Sequence, residues 1–189
     1  MSKLQVVISS TRPGRQGPAI ARWFAGAAVR HGAFEVELVD LAEVGLPLLD
    51  EPAHPRLREY QHEHTKRWSE EVDSADAFVF VTPEYNYSSP PALINALDYL
   101  VHEWAYKPVG FVSYGGISGG LRSVQMTKNI VTTLKMMPMV EAVPIPFFSK
   151  FITESGEFAA EEIHEQSAIV MLTELARWSD ALKPLRNAG

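Results

Sequence analysis

Apolar runs alternate along this chain with segments of helical periodicity. The runs fall at roughly residues 3–9, 34–40, 76–82, 107–114 and 139–146; each is short and rich in Val, Phe or Ile, the signature of strands. Between them, Ile20, Trp23, Phe24, Ala27 and Ala28 repeat at the spacing of one helix face, as do Leu93, Leu97, Leu100, Val101 and Trp104. Leu57, Tyr60, His64, Trp68 and Val72 form another such stripe, and residues 161 to 182 set Ala168, Met171, Leu172, Leu175 and Leu182 on one face. Five strands alternating with five helices predict an α/β architecture: a three-layer, doubly wound fold around a five-stranded parallel sheet of order 2-1-3-4-5. In that order a ligand belongs at the carboxyl ends of strands one and three. The richest loops of the chain fall at those ends.

Composition narrows the picture without changing it. A chain of 189 residues with 46% hydrophobic and 21% charged content suits one globular domain spanning 1–189. No apolar run approaches the ~20 residues of a membrane span, and Met1-Ser2-Lys3 leads straight into a strand, so neither a transmembrane segment nor a signal peptide is expected. The absence of cysteine excludes disulfides, thiolate catalysis and cysteine-held metal, and fits a cytoplasmic location. A net charge of −6 argues against nucleic acid as a partner, because phosphate-backbone binding needs massed Lys and Arg.

The first loop, Ser9-Ser10-Thr11-Arg12-Pro13-Gly14-Arg15-Gln16-Gly17, joins strand to helix with hydroxyls, two guanidiniums and two glycines, and Pro18 marks the helix start. Free N–H groups at a helix N-terminus attract an anion, and Arg12 can fork two hydrogen bonds onto a phosphate. The loop matches neither the Walker pattern nor G-x-G-x-x-G, so it is a phosphate site of another kind. Asp40, placed where a ribose-binding acid would stand, reads as a strand-end carboxylate.

The third loop, Thr82-Pro83-Glu84-Tyr85-Asn86-Tyr87-Ser88-Ser89-Pro90-Pro91, is stiffened by its prolines and offers aromatic faces to a planar ligand. Asn86-Tyr87-Ser88 spells a glycosylation acceptor on paper only. The fourth, Gly115-Gly116-Ile117-Ser118-Gly119-Gly120, lets backbone approach a ligand closely. It also spells G-x-S-x-G, which raises a serine hydrolase using Ser118; the one histidine downstream is His164, inside a helical pattern. His62 and His64 lack the i, i+4 spacing of metal ligands, so no metal site is expected.

Three loops in this order, SSTRPGRQG, TPEYNYSSPPALINALDYL and SYGGISGGLR, resemble those of the flavodoxin-like NADPH-dependent FMN reductases, which include small quinone and azo reductases. The resemblance implies that Ser10, Arg12, Arg15 and Gly17 hold the FMN phosphate. It implies further that Pro83, Glu84, Tyr85 and Asn86 lie along the isoalloxazine and ribityl chain, and that Ser113, Gly115 and Gly116 meet the ring's pyrimidine edge. A flavodoxin proper lacks the P-E-Y-N turn, which makes an electron carrier the lesser reading. By the same resemblance, NADPH or NADH passes hydride to flavin N5 and a small acceptor then takes the electrons: a quinone, free flavin, azo compound or metal oxyanion. Tyr85 and Asn86 position; no side-chain acid or base is required. A homodimer or dimer of dimers is implied, with the apolar helix after Pro91 and Trp104 as its candidate surface. A flavin-binding redox sensor with slow turnover is the alternative from another class.

Overall fold

A computed structural model describes residues 1–186. Five parallel strands, β1 (Ser2–Ile8), β2 (Phe34–Asp40), β3 (Ala77–Pro83), β4 (Pro108–Tyr114) and β5 (Met137–Ile145), pair in the order β2-β1-β3-β4-β5. The doubly wound fold expected from the alternation is therefore present. β3 and β4 are buried at every position because helices cover both faces, which is why they read as continuous apolar runs. β5 lies at an edge and alternates buried with open positions, and there it tolerates Pro138 and Pro144.

Two cores flank the sheet. On one face α1 (Gly17–His31) and α6 (Glu162–Arg186) bury Ile20, Phe24, Ala28, Met171, Leu172 and Leu175. The closeness of this layer shows at Gly110, where an added Cβ would lie 2.8 Å from the sulfur of Met171. On the other face α3 (Glu63–Asp73), α4 (Pro91–Asp98) and α5 (Leu121–Thr133) surround Trp68, Phe78, Phe80, Leu97 and Trp104. A single-turn helix, α2 (Leu41–Val44), follows β2 and is capped by Asp40. None of the described helices is long and apolar enough to cross a membrane.

Two stripes differ from the sequence reading. α3 begins at Glu63, so Leu57 and Tyr60 precede it: the Glu51 carboxylate accepts from the N–H groups of Gln61 and His62 at 2.9 and 3.0 Å and holds the chain in extended form just ahead of the helix. His62, ahead of the helix, is thereby free to stack on His64 at 5.1 Å. α4 ends at Asp98, and Trp104 reaches the core from a separate 3-10 turn, His102–Trp104. Trp104 is 1% exposed, packed on Phe78 at 5.0 Å and Trp68 at 5.9 Å, and so is no part of an interaction surface.

Lys107 is buried beside this core and donates to the carbonyls of Val72 and Asp73 at 2.9 and 3.0 Å. Loss of hydration pulls its pKa down to about 8.

Two predictions follow from the packing. Trp104→Ala should lower the unfolding free energy by about 3–5 kcal/mol in urea titration, the cost of emptying a large aromatic site. Between pH about 8 and 10.5 the unfolded chain holds the Lys107 proton that the folded chain has released. Raising pH through that window should therefore stabilise the wild type relative to Lys107→Met, as read from paired denaturation curves.

Candidate functional site

The first loop is seated by its hydroxyls. The Ser9 N–H and hydroxyl both donate to the carbonyl of Val81, at 3.1 and 2.7 Å, so the loop leaves β1 locked to β3. Ser10 is buried and meets the Tyr114 hydroxyl at 3.2 Å. Burial pushes the Tyr114 pKa up to about 12, so this phenol stays protonated and able to donate. Gly17 is required beneath them: a Cβ there would lie 2.5 Å from the Ser10 hydroxyl and 2.9 Å from that of Tyr114.

Arg15 is already engaged. Its guanidinium grips both carboxylate oxygens of Asp40 at 2.6 Å and the Ser10 carbonyl at 2.6 Å. The charge that the sequence offers to a phosphate is spent on joining the loop to the end of β2. Arg12 is exposed and donates only to the adjacent Pro13 carbonyl at 3.3 Å. The N–H groups of Ser10, Thr11, Arg12, Gly14, Arg15 and Gln16 have no partner among the described residues. α1 starts without a side-chain cap and without an acid in its first turn, which leaves its positive end open to an anion.

The third loop is a tight reversal. Tyr85 and Ser88 exchange two backbone hydrogen bonds of 2.9 Å, with Asn86 and Tyr87 at φ of 50° and 68°. Asparagine tolerates that conformation; tyrosine does so at a cost of roughly 1 kcal/mol. The Arg122 guanidinium stacks on the Tyr87 ring at 3.8 Å and holds it there. Glu84 ties this loop to the fourth. Its carboxylate accepts from the Ser118 hydroxyl at 2.8 Å, the Arg122 N–H at 3.2 Å and the Arg122 Nε at 2.7 Å, and pairs with the guanidinium terminus at 2.6 Å. Beneath, Ser89 bonds Thr127 and donates to the Ser123 carbonyl at 3.1 Å, while Thr82 meets the Ser123 hydroxyl at 3.2 Å. α5 is thus the platform on which the third loop rests.

In the fourth loop Ser113 is buried and donates to the Gly119 carbonyl at 2.7 Å. The Gly115 and Gly116 carbonyls accept from Phe148 and Phe147, at 3.3 and 3.0 Å. Two connected hollows result. A cleft of about 840 Å³ is lined by Arg12, Leu48, Glu84, Tyr85, Asn86, Ser88, Ser89, Pro91, Ile94, Asn95 and Asp98. A crevice of about 190 Å³ runs between Arg12, Arg15, Gln16, Pro83, Glu84, Tyr85, Tyr114, Gly115, Gly116 and Phe148.

Of the residues named from sequence, Arg12, Glu84 and Tyr85 line both hollows, Asn86 the cleft, and Arg15, Pro83, Gly115 and Gly116 the crevice. Ser10, Gly17 and Ser113 lie beneath as supports. Leu48, Ile94, Asn95, Asp98, Tyr114 and Phe148 were not foreseen. Tyr114 and Phe148 carry a faint signal, as aromatics just past or at a strand end. Leu48 carries none: it sits on an irregular segment that Asn95 holds by donating to the Pro47 carbonyl at 2.7 Å and accepting from the Leu49 N–H at 3.0 Å.

The hydrolase reading finds no geometry. The Ser118 hydroxyl is given to Glu84, while His164 packs on α6 against Phe151 at 4.9 Å and Phe158 at 5.4 Å and accepts the Glu161 N–H at 3.0 Å. Among the described residues no cluster of His, Asp or Glu could hold a metal ion.

Comparison with known proteins places these loops in context. The family model for NADPH-dependent FMN reductases matches residues 2–150. An NAD(P)H-dependent FMN reductase of Schizosaccharomyces pombe is 43% identical over 148 residues, 76% of this chain and 74% of that protein. A quinone reductase of Pseudomonas putida is 32% identical over 145 residues, 72% of this chain and 74% of that one. A flavoenzyme NAD(P)H:(acceptor) oxidoreductase from Paracoccus denitrificans has the same fold, with a TM-score of 0.75 at 20% identity over 96% of this chain and 98% of that one.

Replacing Glu84 by Ala strands the Ser118 hydroxyl and the Arg122 side chain. Stability should fall by about 1–3 kcal/mol, and amides in 84–89 and 115–120 should exchange faster than in the wild type, read by hydrogen–deuterium exchange.

Proposed function

The chain belongs to the NADPH-dependent FMN reductase family, oxidoreductases that work with FMN and NAD(P)H, and from that premise we propose that its cleft serves a small, flat electron acceptor such as a quinone. One observation carries the reading: a cradle of unpartnered N–H groups, with Arg12 beside it, opens directly onto a narrow crevice between Tyr85 and Gly115-Gly116. The donor set suits a phosphate, and the crevice walls suit a planar ring, so the residues present fit FMN.

In this proposal the N–H groups of Ser10, Thr11, Arg12, Gly14, Arg15 and Gln16 and the Arg12 guanidinium take the phosphate. Arg15 acts at one remove, fixing the loop through Asp40. The open N–H of Gly116 and the backbone and carboxamide of Asn86 meet the ring edge, and Tyr85 forms its wall. Bound FMN supplies a two-electron redox centre able to accept a hydride and give it up again. Overall, NAD(P)H loses a hydride, and the acceptor gains that hydride and one solvent proton, leaving NAD(P)⁺ and the reduced acceptor.

The protein's part is orientation. The turn at Asn86-Tyr87, the Glu84 clamp and the hydroxyls under Ser89 hold the walls in place before anything binds, so little ordering is required on binding. The choice between NADPH and NADH, and assembly as a homodimer or dimer of dimers, belong to the same proposal; Trp104 takes no part in that assembly.

The purified protein should be yellow, release FMN on denaturation, and bleach with NADPH under anaerobic conditions. Arg12→Ala should raise the dissociation constant for FMN about 10- to 100-fold, read by fluorescence titration. A colourless protein that also fails to take up added FMN would falsify the assignment.

A further inference from the structure

Three charged residues line the larger cleft, and they are not equivalent. The Glu84 carboxylate is saturated by Ser118 and Arg122. Arg12 stands at the mouth of the phosphate cradle. Asp98 closes the last turn of α4, seven residues past Pro91, which sets it roughly 10 Å along the helix axis from the third loop.

Nothing in the fold uses the Asp98 side chain. Its carboxylate has no hydrogen bond and no cationic partner among the described residues, and the last turn of α4 carries no basic residue. A helix C-terminus carries partial negative charge and disfavours a carboxylate. Leu48 and Ile94 line the same cleft, and the Asn95 carboxamide there is engaged by the Pro47 carbonyl and the Leu49 N–H. Asp98 is exposed at the rim of the cleft, where partial loss of hydration raises its pKa above the ordinary carboxylate value. The side chain lines the cleft and is engaged by no other side chain among the described residues.

We propose that Asp98 sets the charge selectivity of the acceptor pocket, so that the outer half of the cleft admits flat neutral or cationic acceptors and rejects anionic ones. Neutral quinones, rather than sulfonated quinones or metal oxyanions, are then the acceptor class. The inference rests on the reading of the cleft as the acceptor site. It gives the cleft two ends of opposite sign: Arg12 at the phosphate cradle, and Asp98 with the negative end of α4 at the other. A single opposed charge at 5–7 Å in a partly solvated cleft changes affinity by about tenfold.

The test uses the FMN-loaded protein as wild type, Asp98→Asn and Asp98→Lys. Where the oxidised nicotinamide leaves before the acceptor binds, kcat/KM for the acceptor is free of the reductant step. That constant is measured for 1,4-naphthoquinone and its 2-sulfonate, and dissociation constants are measured for the redox-inert pair 2-naphthol and naphthalene-2-sulfonate. The expected result is a preference for the neutral member of each pair in the wild type, reduced about tenfold in Asp98→Asn and further in Asp98→Lys. Ratios that stay unchanged in both variants overturn the proposal. If the wild type turns over neither quinone, the functional reading fails, and the two dissociation constants alone decide the role of Asp98.

Discussion

The pairing of β1 with β3 is the constraint on which the rest depends. Because β1 runs between β2 and β3, the carboxyl ends of three strands arrive side by side, with Ile8 opposite both Asp40 and Val81. Ser9 then adds its own two bonds to Val81, so the first loop departs from a fixed point. Without that crossing order, Arg15 would not reach Asp40 and the open end of α1 would not face the third loop. Topology decides which loops meet; side chains decide what they do on meeting.

Once there, the loops spend most of their polar groups on each other. Glu84, Ser113, Ser118, Ser123, Thr127 and Arg15 all look like ligand-binding chemistry in a sequence, and all are occupied within the protein. Among the described residues, the groups left to a ligand include the backbone N–H groups of the first loop and of Gly116, the Arg12 guanidinium beyond its bond to Pro13, the Asn86 carboxamide and the Asp98 carboxylate. The arrangement is preorganised, since the walls need not be ordered when a ligand enters. Even the positive φ at Tyr87 is stabilised from outside, by the cation lying on its ring.

The strands were legible because helices on both faces leave β3 and β4 no polar positions, and because helical stripes such as Ile20-Phe24-Ala28 carry the 3.6 period plainly. Periodicity failed where a distant tie overrode it: the stripe from Leu57 to Val72 runs unbroken in the sequence, but Glu51 holds Gln61 and His62 outside the helix, which starts at Glu63. It failed again at Trp104, which continues the α4 stripe on paper and reaches the core by another turn. The loops that meet at the site were legible as motifs, whereas the partners of their side chains were not. No local pattern announces that Asp40, 25 residues away, will occupy Arg15, or that Leu48 will overhang the cleft.

The wall carrying Leu48 belongs to an irregular stretch tied to α4 chiefly through Asn95 and Tyr99, which also donates to the Pro47 carbonyl at 3.2 Å and to Asp50 at 3.0 Å. None of these ties touches the first loop or the Gly115-Gly116 turn. The cleft wall and the anion cradle are therefore held by different sets of bonds. A change confined to residues 46–49 would reshape the cleft wall while leaving the Arg15–Asp40 pair and the open N–H groups of the first loop as they are. The shape of the cleft can thus be altered at one wall without disturbing the part that would hold a phosphate.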